Sequence, residues 1–271
     1  MAMPELTRIA QRIRPAAGNG KTGSNLFSEE QIQNMHERAL WLVRRETKKH
    51  SFGELLFMAQ VGTRPWGIAQ GNVDFDYQAI YASKPDRTGQ AFISGVYINN
   101  AVKDITMYSL EKIAENLFNS NIHPLIVINS PVIFAAKEFL EFRDFINANI
   151  VRDVCKSAQV NRVPQSRKDY LYNFFFMGNA IAALEGKKII ANLPLLNERF
   201  LKLPQINGII EEERSNLEFN TEGLCVKTLD DLKKRLDRAY EGTKLGHEID
   251  QEQFGRLRLA GKINDRFWRR R

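Results

Sequence analysis

The sequence predicts an α+β body: a small antiparallel three-stranded meander with one or two further strands, covered by several amphipathic helices and flanked by flexible basic arms. Three observations lead there. Helix starts carry their own capping residues, as at Ser28 with Gln31 and Ser166 with Asp169. Between those starts, residues 73–81 switch to a period of two, with Val73, Phe75, Tyr77, Ala79 and Tyr81 apolar and Asp74, Asp76 and Gln78 interleaved. Basic residues then crowd at the two ends of the chain. A hydrophobic content of 43% over 271 residues supplies one sizeable core or two modest ones.

Each element has a local reason. Residues 1–26 hold Pro4, Pro15 and a Gly-rich stretch without apolar period, so they read as a flexible arm. The body, 27–242, opens with a helix whose stripe is Ile32, Met35, Ala39, Leu42 and Val43, with Phe27 and Ile32 as a hydrophobic staple. Ser51 and Glu54 suggest a second, short helix reaching Val61. Residues 66–69, 73–81 and 91–98, separated by turn chemistry, make the meander. Leu110, Ile113, Ala114, Leu117 and Phe118 form an amphipathic helix, and the unbroken apolar run 124–128 reads as a covered strand. Ser130 and Pro131 cap a helix running to about Ser157. After a sub-boundary near 159–166, the next helix ends at Gly186 and 187–193 reads as a strand. Residues 194–222 look irregular, and Thr228 with Asp231 opens a last helix that Gly242 closes. A hinge, 243–254, leads to the tail, 255–271.

Charge points to a polyanionic partner. The tail carries Arg256, Arg258, Lys262, Arg266, Arg269, Arg270 and Arg271 against one acid, Asp265, and the first 25 residues add Arg8, Arg12, Arg14 and Lys21 against Glu5. With a formal charge of +7 for the whole chain, the body itself is close to neutral. Phe267 and Trp268 stand among the tail arginines, where rings can stack on bases while guanidinium groups hold phosphates; the same rings also fit an apolar face docking on protein. Arg44, Arg45, Lys48 and Lys49 add a basic ridge on the first helix. Nucleic acid, DNA or RNA, is therefore the expected partner, with a homo-oligomer as the alternative use of the arms.

Other chemistries find less support. Two cysteines, Cys155 and Cys225, read as small core residues in helical and strand-like contexts of a reducing compartment, and no Cys or His spacing suits zinc. Gly20-Lys21-Thr22 ends like a phosphate loop but follows Arg12 and Arg14 instead of a buried strand. His36, His50, His123 and His247 read as surface or capping residues, and the block from Tyr170 to Met177 as packing, with only Tyr170 or Tyr172 exposed. No apolar run approaches the roughly 20 residues that cross a bilayer, and residues 1–14 lack a signal-peptide core. The expectation is a protein of the cytoplasm or nucleoid, not secreted, without a cofactor and without a membrane span.

The order helix, three strands, helix, strand resembles the core of restriction-endonuclease-type nucleases. That resemblance implies Mg²⁺ on acids of the second strand, for which Asp74 and Asp76 share one strand face, and an acid and a lysine on the third strand, which 92–98 lacks. The alternate reading of Asp74 and Asp76 is the solvated face of an amphipathic strand. The function expected first is therefore non-enzymatic nucleic-acid binding in replication, transcription or packaging. A coat- or nucleocapsid-type assembly protein of viral or phage-like kind comes second, and a Mg²⁺-dependent nuclease third.

Overall fold

The α+β class is what the chain adopts, built as a five-stranded mixed sheet with helices on both faces. The computed structural model describes residues 27–68, 74–83, 90–94, 102–118, 121–148, 152, 155, 158, 164–186 and 188–245. In chain order these form α1 (Glu29–Lys49), β1 (Gly53–Val61), β2 (Phe75–Ser83), β3 (Gln90–Ser94), β4 (Val102–Ser109), α2 (Leu110–Phe118), α3 (His123–Ile128), β5 (Val132–Ala135), α4 (Lys137–Ala148), α5 (Arg167–Gly186), α6 (Leu193–Leu196), a π-helical turn (Asn197–Leu201), α7 (Pro204–Arg214) and α8 (Glu222–Gly242). The sheet order is β3-β4-β2-β1-β5. Only β2 and β4 run parallel; the other neighbours are antiparallel.

The alternation of β2 divides the interior in two. Phe75, Tyr77, Ala79 and Tyr81 join Leu55, Met58, Ile105 and Met107 under α1, whose Met35, Ala39 and Val43 complete that layer. On the other face, Leu56, Phe57, Ala59, Ile80 and Ala82 pack against α2, α3, α4 and α5, and this cluster continues without a break to Leu229, Leu232 and Leu236 of α8. The capping box of α1 is in place: Gln31 N–H donates to Ser28 Oγ at 3.1 Å and Ser28 N–H to Gln31 Oε1 at 2.8 Å. Ser166 caps α5 through Asp169 N–H at 3.2 Å. Cys155 and Cys225 are buried free thiols, and Cys225 lies on a helix, α8, where a strand-like setting was expected.

Several expected elements change type, each for a physical reason. Residues 53–61 are an interior strand, between β2 and β5, not a short helix. Leu55 to Ala59 are buried on both faces, and at Gly53 (φ 140°) an added Cβ would lie 1.6 Å from the Ala82 carbonyl oxygen. Trp66–Ile68 is turn, and the meander is replaced because β4, an unexpected strand, inserts between β2 and β3. Its signal was the alternation of Ile105 and Met107 with Asp104 and Thr106. Residues 124–128 form α3, a helical turn buried all round with Pro124 in its first turn; a five-residue apolar run does not distinguish buried helix from buried strand. Val132–Ala135 pairs with β1, so the helix expected from Ser130 begins only at Lys137. Residues 188–192 belong to no strand, while 194–214, expected to be irregular, hold α6, the π-helical turn and α7. The last helix starts at Glu222, six residues before Thr228. The arm at 1–26 and the tail at 255–271 lie outside the described residues.

Candidate active site

Where β1 ends, the chain turns over 62–68 and leaves room for a carboxylate. Gly62 has a φ of 85°, and a Cβ there would stand 2.5 Å from Asp76 Oδ2. Its missing side chain lets the Asp76 carboxylate lie against the backbone. The turn is clamped by the C-terminal helical half. Leu193 N–H donates to the Trp66 carbonyl at 2.7 Å, Arg214 Nη2 to the Gly67 carbonyl at 3.1 Å and Asn192 Nδ2 to the Pro65 carbonyl at 3.3 Å. Trp66 itself donates from Nε1 to Ser130 Oγ at 3.2 Å.

The parallel pairing of β2 and β4 supplies a second acid. Phe75 faces Val102 and Tyr77 faces Ile105, so β4 carries one residue more than β2 in that interval. Phe75, Tyr77, Ile105 and Met107 all point into the α1 layer. Their alternates Asp76, Gln78, Asp104 and Thr106 therefore share the opposite face, where they line one open cavity of about 330 Å³.

The far wall of the cavity is aromatic. Trp66, His123, Tyr172 and Phe176 line it with Gly62 and Val61. Trp66 stacks on Phe175 at 4.9 Å between centroids and meets Tyr172, Phe176 and His123 edge-on at 5.9, 6.0 and 6.2 Å. Tyr172 and Phe176, one turn apart on α5, lie with their rings 18° from parallel at 6.5 Å. Burial holds His123 neutral, its pKa lowered to about 4. Burial, then the charges of Asp76 and Asp169, pushes Tyr172 up to about 12, so its hydroxyl stays protonated.

Among the described residues, no three His, Cys, Asp or Glu side chains converge into a metal cage. The donor chemistry nevertheless fits Mg²⁺, a hard cation held typically by one or two carboxylates plus waters and substrate phosphates rather than by a closed protein site. Asp76 and Asp104 would be that pair, with Thr106 as a further oxygen donor lining the same cavity.

The basic ridge of α1 is not part of this cavity, because α1 covers the other face of the sheet. Arg45 donates from Nε and Nη2 to Glu46 Oε1 at 2.9 and 2.7 Å and lies over Trp41 at 4.8 Å. Lys49 stands 3.7 Å and His50 3.2 Å from Glu46 Oε2. The Arg45 hydrogen bond and these neighbouring cations hold the Glu46 carboxyl below its usual range. Arg44 lies over Phe134 at 5.1 Å, and Lys48 is exposed. Of the two acids singled out from sequence, Asp76 lines the cavity, and Asp74 sits just ahead of β2, half-buried. Arg256, Arg258, Lys262, Arg266, Phe267, Trp268, Arg269, Arg270 and Arg271 lie outside the described residues. Sequence reasoning missed Gly62, Gln78, Asp104 and His123 as site residues; a Gly-Thr turn ending one apolar run, twelve residues before Asp74, was the available signal.

A family model described as "RNA repair pathway DNA polymerase beta family" matches residues 35–151, less than half of the chain. That stretch contains Gly62, Asp74, Asp76, Asp104 and His123, and ends before α5. Among solved structures, a nucleotidyltransferase-like protein from Exiguobacterium sibiricum 255-15 is similar at 14% identity and a TM-score of 0.30, over 84% of this chain and 90% of that one. A likeness that weak carries no argument. No curated protein matches the chain.

Proposed function

We propose that this chain is a nucleotidyltransferase that adds nucleotides to a nucleic-acid acceptor. The observation that carries the reading is the meeting of Asp76 and Asp104, from parallel neighbouring strands, in one cavity bordered by the Gly62 turn. The match to a family described by RNA repair and DNA polymerase beta supports it over the same residues. This reading takes the place of the non-enzymatic role expected from charge alone, and keeps nucleic acid as partner.

In nucleotidyl transfer a hydroxyl oxygen of the acceptor forms a bond to the α-phosphorus, the bond from that phosphorus to pyrophosphate breaks, and pyrophosphate leaves while the hydroxyl proton is released. Divalent cations would polarise the phosphoryl oxygens and offset the charge of the leaving group. Asp76 and Asp104, with Asp74 adjacent, would hold those cations. Gly62 sets the position of the Asp76 carboxylate, and the backbone clamp from Asn192, Leu193 and Arg214 keeps the turn rigid. The arginines and Lys262 of the tail, with Phe267 and Trp268, would hold the acceptor strand; Arg44, Arg45, Lys48 and Lys49 stand on the far face.

The test is incorporation of labelled nucleotides into RNA and DNA primers with Mg²⁺. Transfer that is lost in both Asp76→Asn and Asp104→Asn is the expected result. Mg²⁺-dependent cleavage without extension would overturn it in favour of a nuclease. Acceptor binding by the full chain should fall with salt at a logarithmic slope of about −3 to −6, and truncation after Gly255 should flatten that slope.

A further inference from the structure

We propose that α5 completes this cavity as a nucleobase site, in which Tyr172 and Phe176 stack on the base and Gln78 reads its edge. The inference rests on the transferase reading of the same cavity and adds what the Asp76 and Asp104 pair cannot supply.

The lining of the cavity combines two chemistries. Asp76, Asp104 and Thr106 supply oxygen donors; Trp66, His123, Tyr172 and Phe176, which contact one another, supply an uncharged aromatic wall. A triphosphate belongs beside the carboxylates, because it brings the cations that those acids need. It has nothing to gain from the aromatic wall. A planar heterocycle does, since base–aromatic stacking is favourable for every base. Trp66 is itself buried and stacked on Phe175, so it serves as the fixed backing of the wall. Tyr172 and Phe176 are half-buried, and their nearly parallel rings are the accessible part. The cavity, at about 330 Å³, falls at the lower end of ordinary ligand pockets.

A second observation is independent of the rings. Gln78 lines the cavity on β2, and its Oε1 is buried without a hydrogen-bond partner. A buried amide oxygen left unmatched is costly, and a ligand that pairs with the amide recovers that cost. Rotation of the amide about its last torsion exchanges which end faces the cavity, so Gln78 offers either a donor or an acceptor to a base edge. Gln60, whose Nε2 is likewise unmatched, alternates to the α1 face and does not line the cavity.

Position is secured by packing. Ser166 caps α5, and Asn179 ties it to the following loop by accepting from Ile190 N–H at 2.8 Å. Tyr172 and Asp76 line the same cavity, so ring and carboxylate border one space. The accessible rings of the wall, Tyr172 and Phe176, are thus supplied by a helix beyond the 35–151 match, so stacking on the base would be a property of this chain's own C-terminal half.

The base can belong to a free nucleotide or to the end of an acceptor strand, and the experiment separates them. Binding of ATP, CTP, GTP and UTP, and of short oligonucleotides, is measured on the full chain with Ca²⁺ in place of Mg²⁺. Tyr172→Ala should weaken binding by about 5- to 150-fold, with Tyr172→Phe near wild type. Gln78→Leu should compress the spread among the four nucleotides. Asp76→Asn should abolish transfer yet preserve the order of nucleotide preference. Loss confined to free nucleotides assigns the site to the incoming nucleotide; loss confined to oligonucleotides assigns it to the acceptor end. Wild-type binding to every ligand in Tyr172→Ala, in protein that melts as wild type, overturns the inference even where Asp76→Asn has confirmed transfer chemistry. Base-dependent binding in a protein without Mg²⁺-dependent transfer would instead sink the transferase reading and retain the base site.

Discussion

The two faces of the sheet are made from alternate residues of the same strands, yet one is a dry core and the other opens on a cavity. Beneath α1, Phe75, Tyr77, Ile105 and Met107 are closed off completely. One residue along, Asp76, Gln78, Asp104 and Thr106 border a cavity. Strand alternation assigns residues to faces, but what lies above each face is decided by elements far away in sequence. The Asp74 and Asp76 side of β2 therefore read as solvated, when Asp76 sits under a turn held by residues beyond 190.

The sharpest way to break the contrast is to substitute the acids. Asp76→Asn or Asp104→Asn should lower nucleotidyl transfer by about 10³-fold or more, since the metal-borne stabilisation at stake amounts to several kcal/mol. Melting temperature, measured on the same variants, separates a loss of chemistry from a loss of fold. On the α1 face the pattern inverts. Met58→Ala should cost about 2 to 5 kcal/mol in urea unfolding, and leave transfer by the folded fraction intact. Equal loss of activity in both substitutions would show that the faces are not functionally distinct.

Gly62 comes next. Gly62→Ala forces a side chain into a φ of 85° and against Asp76 Oδ2, so the carboxylate must move. The expected outcome is a stability loss of about 1 to 2 kcal/mol with a fall in transfer of about 10- to 100-fold. Gly208 of α7 is the control. Nothing lies within 4 Å of a Cβ added there, so Gly208→Ala should stabilise by roughly 0.5 to 1 kcal/mol with unchanged kinetics.

What could be read from sequence follows from how local each signal is. Caps are local, and Ser28 and Ser166 fix the starts of α1 and α5 as expected. The pairing of β2 with β4 is not. The chain had to be known to insert Val102–Ser109 between two strands joined by turn chemistry, and nothing within Phe75–Ser83 encodes that neighbour. Short buried runs failed for a related reason: 55–59 and 124–128 are both apolar throughout, yet one is an interior strand and the other a helical turn. Asp76 was legible as a candidate ligand through its strand spacing. Asp104 was hidden in an unrecognised strand, and Phe176 in a block read as packing, in which only Tyr170 or Tyr172 was expected to be exposed.

Each face also shelters one histidine that stays neutral. His36 Nδ1 lies 2.9 Å from Tyr77 Oη under α1, where burial and then the Arg64 charge lower its pKa to about 4. His123, on the cavity face, is lowered to about 4 by burial alone. Both folded-state values lie below the unfolded value near 6.5. Between pH 6.5 and 4 the unfolded chain therefore binds protons that the native state refuses, and stability is lost as pH falls through that window. Each histidine contributes at most about 1.4 kcal/mol per pH unit. His36→Gln and His123→Gln, each compared with wild type at pH 7 and pH 5, should show a shallower drop in melting temperature on acidification. Drops as steep as that of wild type would mean that carboxylates, not these rings, set the acid limit.

The smallest effect is expected from the basic ridge of α1. It lies on the closed face of the sheet, away from Asp76 and Asp104, and Glu46 already engages Arg45, Lys49 and His50. Exposed pairs of this kind contribute little individually, but they hold the cations to a protein acid instead of a phosphate. Arg44 rests over Phe134, and Lys48 stands exposed. Replacing Arg44, Arg45, Lys48 and Lys49 together by Gln should therefore change acceptor affinity by less than about threefold and the logarithmic salt slope by no more than about 1 to 2, as fits one or two phosphates. Truncation after Gly255 should remove several. If the ridge variant flattens the slope as much as the truncation does, nucleic acid wraps both faces of the sheet, and the division between a closed face and a working face fails for binding even where it holds for chemistry.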